Sequence, residues 1–428
     1  MKILIVSYEA WRDTNNGGNV LSNIFAAFPD AEIAQIYCSG QTPQNHICKD
    51  YYQITESMLL KREKGRQLPK QDYSISEAEA AEPIEDKIKH SIPAPLKKVA
   101  LLSREILWSF FDWKKPNLEC FVTSFQPDVL FAPCYAIPHV SKLALYIKSV
   151  AQCPMISYIS DDNYTLKRIC FSPSFWVNRF ITRKWIRNMF AESTLVYTMT
   201  DLQKIEYEAI FHRRMKVLCK SAAFSERGRP VGNPIRFIYA GNLSVNRWKT
   251  LERLADALAQ VNAEGVRGQL HTFSGTKLRT RVVRKLNDGT STFLHGLISY
   301  QELEKQYQAS DVAVFVESFD LKSRLATRLS FSTKIIDCLN SGCAVLAIGP
   351  IEQGGISYLR QNDAAICVER IGDLPAVVHR LTEQPELICL YAEKANQLGK
   401  KNHQKDCIEA MLRRDFFDIA AGKYSVNP

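Results

Sequence analysis

Of the twelve cysteines, spread from Cys38 to Cys407, no two are spaced as Cys-x-x-Cys. That absence speaks against a zinc ribbon or a thiol-disulfide active site, and with no secretory leader the thiols read as reduced and the protein as cytoplasmic. No run of 18 apolar residues occurs, which excludes a helix that crosses a membrane. The opening Met1-Lys2-Ile3-Leu4-Ile5-Val6 is too short for a signal peptide and reads as a buried first strand. There is no Gly-x-Gly-x-x-Gly, which argues against a dinucleotide-dependent oxidoreductase. Acidic residues are missing altogether from Leu166 to Phe190.

At 428 residues the chain is too long for one ordinary core, and its 46% hydrophobic and 23% charged content is that of a globular protein with two domains. The formal net charge of +10 calls for an anionic partner. Six of those ten charges fall in the acid-free stretch, as Lys167, Arg168, Arg179, Arg183, Lys184 and Arg187, interleaved with Phe171, Phe175, Trp176, Phe180, Trp185 and Phe190. Three readings follow, in falling order: a core helix lining an acceptor channel, a face for an anionic membrane surface, and a nucleic-acid surface. No nucleic-acid-binding motif accompanies the charge, so no nucleic acid is expected.

After the first strand, Gly17-Gly18-Asn19 opens a helix over 20–28, the way doubly wound domains present backbone N–H groups to a ligand. A tight turn with no ligand is the plainer alternative. The segment 61–98 turns charged and proline-containing and reads as an insertion. The strand Met155–Ile159 delivers Asp161 and Asp162 to its carboxyl end, where such folds bind ligands. They are candidates to bind acceptor hydroxyls or assist proton removal, against an equal alternative in which one caps the next helix.

Residues 219–234, with two glycines and two prolines, read as the linker. A second domain then opens with Ile235-Arg236-Phe237-Ile238-Tyr239-Ala240-Gly241-Asn242. Its most informative stretch is Ser332-Thr333-Lys334-Ile335-Ile336-Asp337-Cys338-Leu339-Asn340-Ser341-Gly342, followed by the apolar run Cys343–Ile348. Ser332 or Thr333 is placed to cap a short helix, and Gly342 sits where a left-handed C-terminal residue belongs. Lys334 in the first turn opposes the helix dipole unless an anion is bound there, so the turn reads as a phosphate site. Asp337, on the same face, is suited to accept a ribose or sugar hydroxyl. Taken without context, a solvated Lys334–Asp337 pair is the plainer reading.

This stretch resembles the donor-binding segment of family-4-like GT-B glycosyltransferases, and other points agree. The Gly17-Gly18 pair stands where the family has its glycine loop, Gly241-Asn242-Leu243 resembles its strand-Gly-Arg-Leu opening, and Arg247 aligns with the lysine used on the donor diphosphate. Ser274 ends a strand, Phe293-Leu294-His295-Gly296 resembles the segment beside the nucleotide base, and Glu317-Ser318-Phe319-Asp320 takes the place of Glu-Gly-Phe-Gly. Asn242 departs from the family's arginine, and the position eight before Asp337 is Leu329 rather than glutamate.

The resemblance implies an α/β fold of two doubly wound Rossmann-like domains facing a cleft. Residues 1–222 would form the acceptor side, 235–400 the donor side, and 401–428 a helix crossing back to the first domain. It implies a metal-independent, retaining transfer of a sugar from a nucleotide-sugar to a glycan, lipid-linked acceptor in surface polysaccharide assembly. No cofactor beyond the nucleotide-sugar substrate is expected, nor a metal, which the lack of Asp-x-Asp after a strand in the donor half suits. Expected donor contacts are Gly17, Gly18, Asn19, Gly241, Asn242, Arg247, Ser274, His295, Glu317, Ser332, Thr333, Lys334 and Asp337. Asp161 and Asp162 are the expected catalytic pair; the composition of 166–190, read second as a membrane face, makes the inner face of the cell membrane a candidate location. Two rivals remain: an inactive nucleotide-sugar-binding protein of the same fold, and a nucleotide-sugar epimerase.

Overall fold

Strands made of uninterrupted apolar residues belong in sheets covered on both faces, and that is how the chain uses them. The computed structural model describes residues 1–13, 16–69, 94–225, 228 and 230–424, divided between two compact units. The first comprises 1–166, 170–218 and 409–428, the second 167–169 and 219–408.

In the first unit, strands β1 (Lys2–Ser7), β2 (Glu32–Tyr37), β3 (Asp50–Gln53), β4 (Arg66–Gln67), β5 (Val129–Pro133), β6 (Met155–Ile159), β7 (Leu195–Thr198) and β8 (Lys216–Val217) lie in the order β4-β3-β2-β1-β5-β6-β7-β8. All neighbours are parallel except β3 and β4. Ile3 to Val6 and Val129 to Ala132 are fully buried at its centre. Sequential order reverses between β1 and β5, the switch point at which such sheets receive ligands beyond their carboxyl ends. The helix Lys405–Ala420 ends in this unit. Its Asp415 accepts hydrogen bonds from Tyr197 Oη at 2.7 Å and Lys216 Nζ at 2.6 Å, and Phe416 packs on Phe28 with ring centroids 4.8 Å apart.

The second unit is a six-stranded, wholly parallel sheet ordered β11-β10-β9-β12-β13-β14, from β9 (Ile235–Ala240), β10 (Gly268–Phe273), β11 (Thr292–His295), β12 (Val312–Val316), β13 (Ala344–Ile348) and β14 (Ile366–Val368). Its switch point lies between β9 and β12. Phe237, Tyr239, Leu270, Val312, Val314 and Leu346 form one face of the core against the amphipathic helices Arg247–Val261 and Leu374–Glu383. This unit takes in residues 219–225, read from sequence as linker. Ala222 N–H donates to His403 O and Lys405 N–H to Ala222 O, both at 3.0 Å.

Of the segment 61–98, residues 70–93 lie outside the described residues. Among the described residues no helix is long and apolar enough to cross a membrane.

Candidate functional site

The switch point of the second sheet gathers the residues with chemistry. The turn after β9 carries Gly241, Asn242 and Arg247, and the turn after β12 carries Glu317. Arg247 and Glu317 meet as a two-pronged pair, Nε to Oε2 at 3.1 Å and Nη2 to Oε1 at 2.8 Å, while Thr250 Oγ1 donates to the Glu317 carbonyl at 2.8 Å. The arginine side chain is 17% exposed and the glutamate 8%, so each is the other's main compensation. Glu317 holds the Arg247 guanidinium above its ordinary pKa despite desolvation, the largest opposing effect.

Lys334 begins the seven-residue helix Lys334–Asn340. Its ammonium lies 5.1 Å from the Tyr239 ring centroid and donates weakly to Tyr239 Oη at 3.4 Å. A Cβ built on Gly241 would collide with that ammonium, and Gly241 has φ of +139°, a conformation that side chains rarely adopt. No carboxylate pairs with Lys334 among the described residues. Desolvation, then the Arg247 charge, lower its pKa from 10.5 to about 8.

Asp337, one turn along, is held by Lys220, whose Nζ donates to Oδ1 at 2.7 Å. The site therefore contains Arg247, Lys334 and Lys220 against Glu317 and Asp337, one positive charge in excess. Geometry assigns that excess to Lys334.

The remaining donor-side candidates lie at strand ends and in the loops beside them. Asn242 is exposed, and its Oδ1 accepts from Ser244 N–H at 2.6 Å and Thr276 Oγ1 at 3.3 Å; it braces its own loop instead of replacing a cation. Ser274 is buried and exchanges hydrogen bonds with Thr276 at 3.2 Å. His295, at the end of β11, stacks on Phe273 at 4.5 Å and shares one proton with His271, Nε2 to Nδ1 at 3.2 Å. Burial and the Arg236 charge lower the pKa of both imidazoles, that of His271 to about 4. The expected cap is corrected here, because neither Ser332 nor Thr333 makes a side-chain cap to the helix; Thr333 has helical φ and ψ, so its hydroxyl is not presented to the first turn. Gly342, just past that helix, does take positive φ, +79°.

In the first unit, Gly17, Gly18 and Asn19 lie in the first turn of the helix Asn16–Phe25. Gly17 and Asn19 are exposed, whereas Gly18 is buried where a Cβ would collide with the Arg12 carbonyl. Close packing of that turn is the reason for this glycine.

Asp161 is exposed at the end of β6, but Asp162 is fully buried. The expectation that Asp162 handles acceptor is corrected: its Oδ1 accepts from Tyr164 N–H at 3.2 Å, Thr165 N–H at 2.8 Å, Tyr207 Oη at 3.1 Å and Arg179 Nη2 at 3.3 Å. Such a carboxylate is an internal anchor. The same cluster overturns the basic-face reading of 166–190 in part. Arg179 is 4% exposed and also donates to the carbonyls of Asp162 and Thr165. Arg183 Nη1 donates to Tyr164 O at 2.5 Å and lies 4.2 Å from that ring, and Arg187 Nη2 donates to Tyr164 Oη at 2.8 Å. Three of the six cations thus serve the fold, Arg179 as the partner that buried Asp162 demands and Arg183 and Arg187 as donors to Tyr164. On the other side the helix Pro173–Glu192 exposes Val177, Phe180 and Lys184, and the helix Ala94–Phe110 exposes Val99, Ile106 and Phe110.

Tyr239 and Lys220 escaped sequence reasoning. Tyr239 reads as an ordinary strand residue, and Lys220 lies 117 positions before Asp337, the residue it meets.

No family model matches the chain, and no curated protein does. Solved structures do. Sucrose-phosphate synthase from Thermosynechococcus elongatus aligns over 99% of this chain and 100% of its own, with TM-score 0.64 and 12% identity. HepE from Anabaena, in complex with UDP, aligns over 98% and 100%, with TM-score 0.60 and 12% identity. TarM aligns over 70% of this chain and 57% of its own, with TM-score 0.54 and 12% identity. Aligned over nearly its whole length with the first two of these neighbours, the chain has the fold of the GT-B glycosyltransferases.

Proposed function

We propose that this protein is a glycosyltransferase that takes a sugar from a nucleoside diphosphate-sugar. The observation that carries the reading is Lys334, a desolvated cation in ion pair with no carboxylate among the described residues, against a glycine at the sheet's switch point. A leaving diphosphate is the anion that such a group fits. Lys334 neutralises the charge that develops as the glycosidic oxygen departs, and Tyr239 keeps the ammonium in place. Arg247, fixed by Glu317, adds positive potential without giving up its partner. HepE, crystallised with UDP, makes uridine diphosphate the first nucleotide to try.

The acceptor side belongs to the first unit. Asp161, exposed at the carboxyl end of β6, is proposed to bind or deprotonate the acceptor hydroxyl, and retention of configuration and independence from metal are proposed with it. A glycan acceptor carried on a lipid, and peripheral attachment to the membrane, are supported by the exposure of Val177, Phe180 and Lys184 on one helix and of Phe110 on another.

The test is calorimetric titration of the protein with UDP, GDP, ADP and CDP, followed by donor hydrolysis in the presence and absence of glycan acceptors. Lys334→Ala weakens binding of the preferred nucleotide by about 1.5–3 kcal/mol. Unchanged affinity in a folded variant rejects the donor site. Binding without turnover supports the inactive alternative, and interconversion of free nucleotide-sugar the epimerase. For the acceptor, Phe110→Glu with Phe180→Glu abolishes co-sedimentation with anionic vesicles; equal sedimentation rejects the membrane reading.

A further inference from the structure

Lys334 and Asp337 stand three residues apart on one helix face, the spacing at which a lysine and an aspartate ordinarily pair. Here they do not. Asp337 Oδ1 accepts from Lys220 Nζ at 2.7 Å, with the lysine side chain 17% exposed and the carboxylate 27% exposed. Asp337 Oδ2 has no hydrogen-bond partner among the described residues. Had the aspartate turned to Lys334, the excess positive charge of the site would have been cancelled at the atom that must meet a phosphate.

Lys220 is itself held in place by backbone. Two residues on, Ala222 exchanges hydrogen bonds with His403 and Lys405 at 3.0 Å, and the Phe224 ring fills the space over Gly399 that a Cβ would need. His403 Nε2 in turn meets Tyr358 Oη at 2.7 Å. Lysine has a flexible stem, so a fixed backbone at its base is what makes its ammonium a directed contact.

We infer that Lys220 is a positioning residue of the donor site, holding Asp337 off Lys334 and leaving its second carboxylate oxygen to accept a ribose hydroxyl. The inference rests on the donor site proposed above and adds to it a residue that orients Asp337. Lys220 touches neither the phosphates nor the sugar; it acts through Asp337. Without it, Asp337 pairs with Lys334, which costs the site its diphosphate cation and its ribose acceptor together. The same pairing stabilises the Lys334 ammonium, so binding persists to higher pH in the variant than in the parent.

The experiment compares the parent with Lys220→Met, Lys220→Gln and Lys220→Arg, each checked for a native thermal transition. The tightest binder among UDP, GDP, ADP and CDP is titrated alongside its 2′-deoxy and 3′-deoxy forms, from pH 6.5 to 9.5. The parent prefers the ribo form about tenfold over at least one deoxy form, a hydrogen bond's worth. In Lys220→Met that preference falls towards one, overall affinity drops about tenfold, and the alkaline midpoint moves up. Lys220→Gln, which keeps a donor without the charge, serves if the methionine variant does not fold, and Lys220→Arg restores the preference. A merely structural lysine would leave the ribo-to-deoxy ratio and the alkaline midpoint where they are, and that result overturns the inference. If the parent itself does not distinguish ribo from deoxy forms, the ribose contact of Asp337 fails, and the alkaline midpoint alone then decides whether Lys220 keeps Asp337 from Lys334. Absence of binding by all four nucleotides rejects the donor site and the inference with it.

Discussion

The Lys334 ammonium lies against the α-carbon of Gly241, in the volume that any other residue at position 241 would fill with its own side chain. Two requirements coincide at that glycine, room for the cation and φ of +139°. Gly241→Ala therefore loses both. Its thermal stability falls by the worth of a strained backbone, about 1–3 kcal/mol, and nucleoside diphosphate affinity falls at least tenfold as the lysine is displaced. Calorimetry beside a melting curve separates the two effects, and native affinity in this variant would remove Lys334 from the site.

The depressed pKa of Lys334 gives binding and stability opposite pH dependences. Diphosphate needs the protonated amine, so affinity is level below about 8 and falls as pH rises through it. The unfolded chain has its lysine near 10.5, so between about 8 and 10.5 it binds more protons than the native one and stability rises with pH, by up to about 3 kcal/mol in total. Lys334→Met abolishes both trends. Denaturant unfolding and nucleotide titration at pH 7 and 9 provide the check.

Arg247 and Glu317 answer to stability before they answer to binding. Arg247→Ala leaves a carboxylate that is 8% exposed without its main partner and costs about 3–5 kcal/mol. Glu317→Gln with Arg247→Met, which removes both charges, costs less than Arg247→Ala alone. A double-mutant cycle in urea measures the difference; additive losses would mean the pair is not coupled.

Asp162→Asn or Arg179→Met destabilises the first unit, again by about 3–5 kcal/mol, and does so whether or not lipid is present. Asp161→Asn is near neutral for stability, as an exposed substitution, and lowers transfer without changing nucleotide affinity. Loss of nucleotide affinity in Asp161→Asn would contradict its acceptor-side assignment.

Much of the architecture was legible because parallel strands buried on both faces must be apolar throughout. Met155–Ile159 has in the structure the limits that its sequence suggests, and Gly342 takes the left-handed φ that its place after a short helix implies. Gly241 and Arg247 were legible through the family resemblance, and Lys334 through its place in the first turn of a short helix, where a cation opposes the helix dipole. The extent of charge in 166–190 was legible too, but not its direction: a helix of mixed arginines and aromatics gives no clue that Arg179 turns inward until the buried Asp162 is in place. Likewise, sequence alone determined that Asp337 follows Lys334 by three residues, and tertiary structure alone decided that it would bond to Lys220 instead. Local spacing sets which groups can meet along one helix, whereas the partner of a charge is chosen by whichever opposite charge the fold brings nearest and desolvates most, and that choice is made between residues far apart in the chain.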